Sequence, residues 1–239
     1  MSFSYIEFEN RFRGTSDVVR KEQTRFIPYF ACAPGPVVDL GCGRGEFLEM
    51  LGTAGATCWG VDVNKEMVDF ARARGLDVRH ESAIAHLASC PPESLGGIFM
   101  SHVIEHLPRP DVLKLGELAA SRLRRGGVIV VETLNPQCVF ANAPFAMDFT
   151  HEWPIHPQTL QFILEGNGFE VFETVYRQYL PDEMMTLMND RTKPSSWPTP
   201  TTPFECAVTE ALGKLQLYID LAFKNFIYAL AARRGRSSK

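Results

Sequence analysis

The stretch Val37-Val38-Asp39-Leu40-Gly41-Cys42-Gly43-Arg44-Gly45-Glu46 decides the fold. A short run of strand character meets three glycines at alternate positions, and a helical pattern starts directly behind them. Glycine lets a chain turn sharply there and lets its backbone approach a bound group with no Cβ in between. Outward from this turn, β-branched runs alternate with helical patterns. Strands are predicted at Pro36–Leu40, Thr57–Asp62, Val78–His80, Ile98–His102, Val128–Thr133 and Glu170–Tyr176. Between them, helices are predicted at Glu46–Ala54, Glu66–Arg74, Asp111–Arg124 and Pro157–Glu165. Such alternation implies a mostly parallel sheet with helices on both faces.

The helices carry their own start and stop signals. Phe47, Met50, Leu51 and Ala54 follow the i, i+3, i+4, i+7 rule of one buried face, and Gly55 ends the run. Asn64 is a good N-cap and Gly75 a good residue past the end of the next helix, while Pro157 opens a later one. Beyond the Pro/Ser/Thr-rich break Lys193–Pro203, an amphipathic helix is predicted at Thr209–Phe223 and a last strand at Phe226–Ala232. The organisation expected is a leading helical segment, 1–35, over the cofactor site, a core at 36–180, and an extension at 181–239 that supplies the final strand. The basic finish from Arg233 reads as a frayed, solvated tail.

Composition limits the rest. At 239 residues the chain can remove roughly 70% of its unfolded surface from water, so it needs no disulfide or metal to fold. Twenty-four basic against 28 acidic side chains leave a net charge of −4, which argues against nucleic acid as a partner. The six cysteines are scattered without metal-site spacing, and the amino terminus lacks the apolar core of a signal peptide. A cytoplasmic protein with no membrane span is expected.

The glycine loop favours a nucleotide-like ligand, and two classes compete. A dinucleotide site wants a third glycine where Glu46 stands, and both Asp39 and Glu46 would repel a pyrophosphate. An ammonium or sulfonium group would be attracted instead, and S-adenosyl-L-methionine carries both with no phosphate. Asp62, 21 positions after Gly41, suits the ribose of either cofactor.

Asp39-Leu40-Gly41-Cys42-Gly43-Arg44-Gly45, Gly60-Val61-Asp62-Val63-Asn64, Ser101-His102-Val103-Ile104-Glu105-His106-Leu107 and Arg125-Gly126-Gly127 resemble the successive motifs of class I S-adenosylmethionine-dependent methyltransferases. The likeness covers roughly residues 36–180. It implies a Rossmann-like, doubly wound α/β fold with a seven-stranded sheet, one strand antiparallel. A narrower likeness rests on Tyr5-x-x-Phe8-Glu9-x-x-Phe12-Arg13-Gly14, Glu132-Thr133-Leu134-Asn135-Pro136, Asp148-Phe149-Thr150-His151 and Ile155-His156-Pro157. These are similar to bacterial methyltransferases of cell-surface polysaccharides, including O-antigen enzymes.

The resemblance implies that Asp39 and the backbone of Gly41, Cys42 and Gly43 hold the methionine end, with Arg13 reaching in from the leading segment. Asp62 would hold the ribose, Val63 would flank the adenine, and Ser82 and Ala83 would meet its edge, with Glu81 as the alternative to Ser82. Ser101 would close the site at the end of the fourth strand.

Methyl transfer to a hydroxyl is helped by a positioned base. His102, His106, His151 and His156 fall beyond the carboxyl ends of strands, and His151 is the preferred base; His102 and His106 are the other catalytic candidates. Asp148, His151, Glu152 and His156 include metal-ligand types, but the aromatic residues around them read as an acceptor wall or lid, and no metal is expected. Arg11, Arg13 and Arg20 are candidate clamps for an anionic group. The function expected is O-methylation of a sugar or phosphosugar of a surface glycan, beside a glycan-synthesis enzyme partner. The alternatives are a small aromatic or quinone-type acceptor, a cofactor-binding scaffold without turnover, and an NAD-dependent oxidoreductase.

Overall fold

A computed structural model describes residues 5–178, 202–219 and 225–235. It shows one seven-stranded sheet in the order β3-β2-β1-β4-β5-β7-β6. The strands are β1 (Val37–Leu40), β2 (Cys58–Asp62), β3 (Val78–His80), β4 (Leu95–Ser101), β5 (Leu123–Leu134), β6 (Phe169–Gln178) and β7 (Asn225–Arg234). β1 to β5 pair in parallel, and β7 lies antiparallel to both β5 and β6. The expected fold class and the expected last strand are therefore both present.

Helices α1 (Tyr5–Phe12), α2 (Ser16–Gln23) and α3 (Ile27–Phe30) precede β1. Between and after the parallel strands come α4 (Glu46–Thr53), α5 (Lys65–Ala73), α6 (Ala83–Ser89), α7 (Arg109–Arg122), α8 (Asn142–Met147), α9 (Pro157–Gly166) and α10 (Pro203–Ile219). Asn64 caps α5 as its residue type predicts, its side chain accepting from the backbone N–H of Glu66 at 2.9 Å and of Met67 at 3.2 Å. The helix expected at Thr209–Phe223 starts earlier, at Pro203, and its predicted end lies outside the described residues, as do most of the Pro-rich break and residues 236–239. Arg233 and Arg234, expected in a frayed tail, instead pair within the sheet at the end of β7.

Three elements differ from expectation for local reasons. α6 has no predicted counterpart because Ala83–Ser89 is short and lies directly behind β3, where the run reads as a turn. β4 begins three residues early, since its Gly96-Gly97 pair imitates a loop. β5 begins at Leu123 and not Val128: Leu95 pairs with Leu123 and Gly97 with Val128, and the register shift between them absorbs Arg124 to Gly127.

The central strands β1 and β4 and the second half of β5 are buried on both sides, which is why they read as nearly continuous apolar runs, while the edge strands β3 and β6 are mostly exposed. On one face Val38, Leu40, Ile98, Met100, Ile129 and Val131 pack with Leu87, Val112, Leu115, Leu160 and Leu164 from α6, α7 and α9. On the other, Val37, Phe99 and Val130 pack with Phe26, Phe30, Phe47 and Leu51. Phe47 and Phe99 stack at 3.7 Å between ring centroids, and each such buried ring contributes roughly 1.5–3 kcal/mol. This second layer fastens the leading helices to the sheet through Phe26 and Phe30.

Candidate functional site

The carboxyl ends of β1, β2, β4 and β5 open onto two adjoining cavities, the place where a parallel α/β sheet holds its ligands. The first, of about 360 Å³, is lined by Gly41, Gly43, Asp62, Val63, Met67 and Glu81, with Arg13 from the segment after α1. The second, of about 180 Å³, lies between α1, α2, α8 and the ends of β5 and β7. Arg13, Ser101, His102 and His106 line both.

Gly41 has φ +76°, and a Cβ there would come within 2.2 Å of Val103 Cγ2. A Cβ on Gly43 would stand 2.7 Å from Arg13 Nη1, so the guanidinium reaches the loop only because that side chain is missing. Asp62 is fixed by the backbone: Oδ2 accepts from Gly43 N–H at 2.9 Å and Oδ1 from Asn64 N–H at 2.8 Å. Carboxylate oxygens hold further lone pairs, so these bonds fix the group at the cleft wall without exhausting its capacity to accept.

Asp39 is buried, and burial pushes its pKa up to about 8; nearby Arg13 works against that rise, while Asp62 and Glu46 add to it. For Glu46, burial alone would lift the pKa, but Arg13, the Ser16 hydroxyl and Arg44 outweigh it and hold the carboxylate below its usual value. Cys42 lines neither cavity, and its N–H donates to Val61 O at 3.0 Å. Its thiol faces β2, where a Cβ on Gly60 would meet Sγ at 2.5 Å, and burial pushes the thiol pKa up. Ser82 and Ala83 are also absent from the cleft lining: Ser82 Oγ caps α6 by accepting from Ala85 N–H at 3.2 Å. Glu81 lines the cleft in its place. Arg13 for a carboxylate and Asp62 for sugar hydroxyls fit a cationic, ribose-bearing ligand such as S-adenosylmethionine, whereas Asp39, expected at the ammonium, is buried and lines neither cavity.

The second cavity brings His106, Asp148 and His151 together among its polar residues. Asp148 Oδ1 accepts from Thr150 N–H at 2.9 Å and from Thr150 Oγ1 at 2.6 Å. Thr150 has spent its one hydroxyl proton, so His106 Nδ1–H donates to Thr150 Oγ1 at 2.9 Å. His106 and His151 lie 4.5 Å apart between ring centroids. One donor atom each from His106, Asp148 and His151 lies within 4.8 Å of the others. Burial lowers the His151 pKa, and the proximity of His106 adds to that effect. Burial would raise the Asp148 carboxyl, but the Thr150 hydrogen bonds prevail and lower it.

His102, with φ +56°, sits in the left-handed region that non-glycine residues seldom occupy. Its N–H donates to Glu132 O at 2.9 Å and its Nδ1 pairs with buried Glu105 at 3.1 Å. Burial opposes the charged form of each, yet their mutual attraction wins, raising His102 and lowering Glu105. His102 therefore supports the floor of the site. His156 caps α9, accepting from Gln158 N–H at 3.2 Å, and is not part of the lining. Arg11 lies over the Phe12 ring and Arg20 pairs with Glu49 at 2.8 Å, which leaves Arg13 as the candidate arginine inside the cleft.

Several lining residues carried no expectation. Glu132 accepts from Ser101 Oγ at 2.7 Å and forms the floor; a carboxylate near the end of the apolar run Val128–Leu134 was its signal. Gln23, Glu22 and Arg177 come from α2 and β6, and nothing local in the sequence marks them.

A family profile described as a methyltransferase domain matches residues 11–174. The mitochondrial ubiquinone biosynthesis O-methyltransferase of Homo sapiens is 29% identical over 164 residues, 61% of this chain and 44% of the human protein. The chain thus spans under half the length of that relative. A ubiquinone biosynthesis O-methyltransferase of Xanthomonas euvesicatoria pv. vesicatoria (strain 85-10) is 28% identical over 66% of this chain and 72% of its own length. A solved S-adenosylmethionine-dependent methyltransferase from Archaeoglobus fulgidus has a TM-score of 0.79 and 32% identity, covering 97% of this chain and all of its own (100%). These relatives support the class I likeness and not the narrower likeness to polysaccharide-modifying enzymes.

Proposed function

Because the chain belongs to the methyltransferase domain family, we propose that it is an S-adenosylmethionine-dependent O-methyltransferase of a small hydroxylated aromatic, of the quinone-precursor type. The second cavity carries this reading. Phe8, Phe12, Leu134, Pro144, Met147 and Ile227 make apolar walls, and His106, Asp148 and His151 stand together. A flat ring with a hydroxyl suits such walls, and Arg13, Glu22, Gln23, Ser101, Glu132 and Arg177 in the same lining offer polar partners to its substituents. Gln23 Oε1, buried with no hydrogen-bond partner among the described residues, offers an acceptor to a second ring hydroxyl. The names of the curated relatives support the same acceptor class, and they lend no support to a glycan or to a glycan-synthesis partner.

Arg13, Asp62 and the glycine loop would hold S-adenosylmethionine, which when bound supplies the methyl group. His151, neutral with a bare Nε2, accepts the proton of the acceptor hydroxyl. Asp148 steadies the imidazolium that results. The leading helices exclude water from the shared boundary of the two cavities, and alignment of the reacting atoms there accounts for much of the rate.

The test is methyl transfer by the purified chain to a panel of dihydroxylated benzoates and phenols, alongside sugars and sugar phosphates. Transfer to the phenols and not to the sugars is expected. Transfer confined to sugars would restore the glycan reading, and cofactor binding with no transfer to any acceptor would favour a scaffold.

A further inference from the structure

His86 in α6 is fully buried beside the cofactor cleft without lining it. Trp59 Nε1–H donates to His86 Nε2 at 3.0 Å. An indole N–H only donates, so this contact fixes the imidazole proton on Nδ1. His86 Nδ1–H then donates to Glu81 Oε2 at 2.9 Å. Glu81 lines the cleft together with Asp62, Val63 and Met67. Its backbone is tied there as well, since Glu81 N–H donates to Asp62 O at 3.0 Å. The neighbouring Ser82 hydroxyl caps α6 and lies outside the cleft lining.

We propose that His86, its tautomer set by Trp59, is a positioning residue that presents Glu81 to the exocyclic amine of the cofactor's purine, so that the site selects a 6-amino over a 6-oxo purine. The inference rests on the cofactor reading of the preceding section. A carboxylate accepts hydrogen bonds and cannot donate one. A 6-amino purine satisfies it, and a 6-oxo purine turns an acceptor toward an acceptor. With one oxygen held by His86, the carboxylate has a single orientation to offer, which sharpens that choice.

The experiment measures affinities for S-adenosylhomocysteine and its deaminated analogue, S-inosylhomocysteine, by calorimetry. Variants are His86→Leu, His86→Asn, Trp59→Phe and Glu81→Gln, with melting curves to verify folding. Wild type is expected to prefer the adenosyl compound by about tenfold or more, a margin typical of a site built around one hydrogen bond. His86→Leu should bring the two affinities together and raise KM for S-adenosylmethionine with little change in kcat. His86→Asn, whose side-chain amide can donate from near the Nδ1 position, should restore the preference. Trp59→Phe, which reads the same relay if His86→Leu does not fold, should weaken it partly. Glu81→Gln, able to donate as well as accept, should erase it. An unchanged preference in folded His86→Leu, or in Trp59→Phe where that variant stands in, overturns the proposal. Binding of neither compound by wild type overturns the cofactor reading itself.

Discussion

His151 donates its Nδ1 proton to the carbonyl oxygen of Phe145 at 2.8 Å, leaving Nε2 as the ring's acceptor 4.0 Å from Asp148 Oδ2. A backbone carbonyl cannot give a proton, so this one bond fixes the tautomer. The Phe145 ring, stacked on the imidazole at 4.7 Å, fixes its plane.

His151→Ala should therefore lower methyl transfer by about 10² fold or more while leaving cofactor affinity unchanged. Because burial depresses its pKa below 6.5, wild-type kcat should rise with pH through the acid range and be flat by pH 7. Dialysis against EDTA belongs in the same assay, given the closeness of His106, Asp148 and His151. Unchanged activity after chelation is expected of a proton acceptor. A loss restored by a divalent ion would replace the base with a metal.

Asp62→Ala should weaken S-adenosylmethionine binding by about 1.5–3 kcal/mol, the range of hydrogen bonds to a charged group. Part of that loss comes from the loop, since the same carboxylate anchors the N–H of Gly43. Calorimetry on the folded variant is the check, and equal affinities would remove Asp62 from the site.

Asp39 gives a dependence on pH whose sign follows from its raised pKa. The folded state holds the Asp39 proton more tightly than the unfolded chain does. Its contribution to stability is complete below pH 4 and disappears as pH rises toward about 8, at up to roughly 1.4 kcal/mol per pH unit. Asp39→Asn should thus melt higher than wild type at pH 8.5 and lose that advantage at pH 5.

The leading helices are tied to α4 by charge. Ser16 Oγ donates to Glu46 at 2.8 Å, Arg20 pairs with Glu49 at 2.8 Å, and Arg74 reaches Glu49 from the other side. Partly exposed pairs of this kind contribute little to global stability. Glu49→Gln should leave the melting temperature within a few degrees of wild type, yet speed cofactor release severalfold and expose the Gly14 region to protease. Stopped-flow release and limited proteolysis would show it, and unchanged release would exclude the tie as a latch.

Gly41→Ala places a methyl group against Val103 and forces φ +76° on a residue that disfavours it. A destabilisation of about 1–3 kcal/mol is expected. Adding Val103→Ala should return only the steric part, measurable by urea unfolding of the single and double variants.

Short apolar runs and the 3.6-residue period made the sheet and its main helices legible, because β1, β4 and the second half of β5 are buried on both faces and are apolar along most of their length. The same rule hid the start of β4, where Gly96 and Gly97 replace side chains, and the whole of α6. In the site, Gly41, Gly43 and Asp62 were legible since each satisfies a backbone requirement at a fixed offset from a strand end. Arg177, Gln23 and the His86–Glu81 contact were not. They meet the site through packing between elements distant in the chain, and a linear pattern carries no record of that distance. Ser82, whose residue type suited a ligand, also suits the N-terminus of α6, where its hydroxyl accepts from Ala85 N–H.

β7 sits between β5 and β6 although it follows both in the chain. During synthesis the sheet must therefore wait: β1 to β4 can pair as they emerge, while β5 and β6 each keep an open edge until β7 arrives to fill the gap. The half that binds the cofactor is thus the early-folding half. The acceptor wall, which needs Ile227 from β7, is completed only by the slowest and least local pairing in the molecule. Open edges in that interval are templates for other chains, so yield at high temperature or expression level is governed by the race between β7 insertion and aggregation, not by the strength of the finished core.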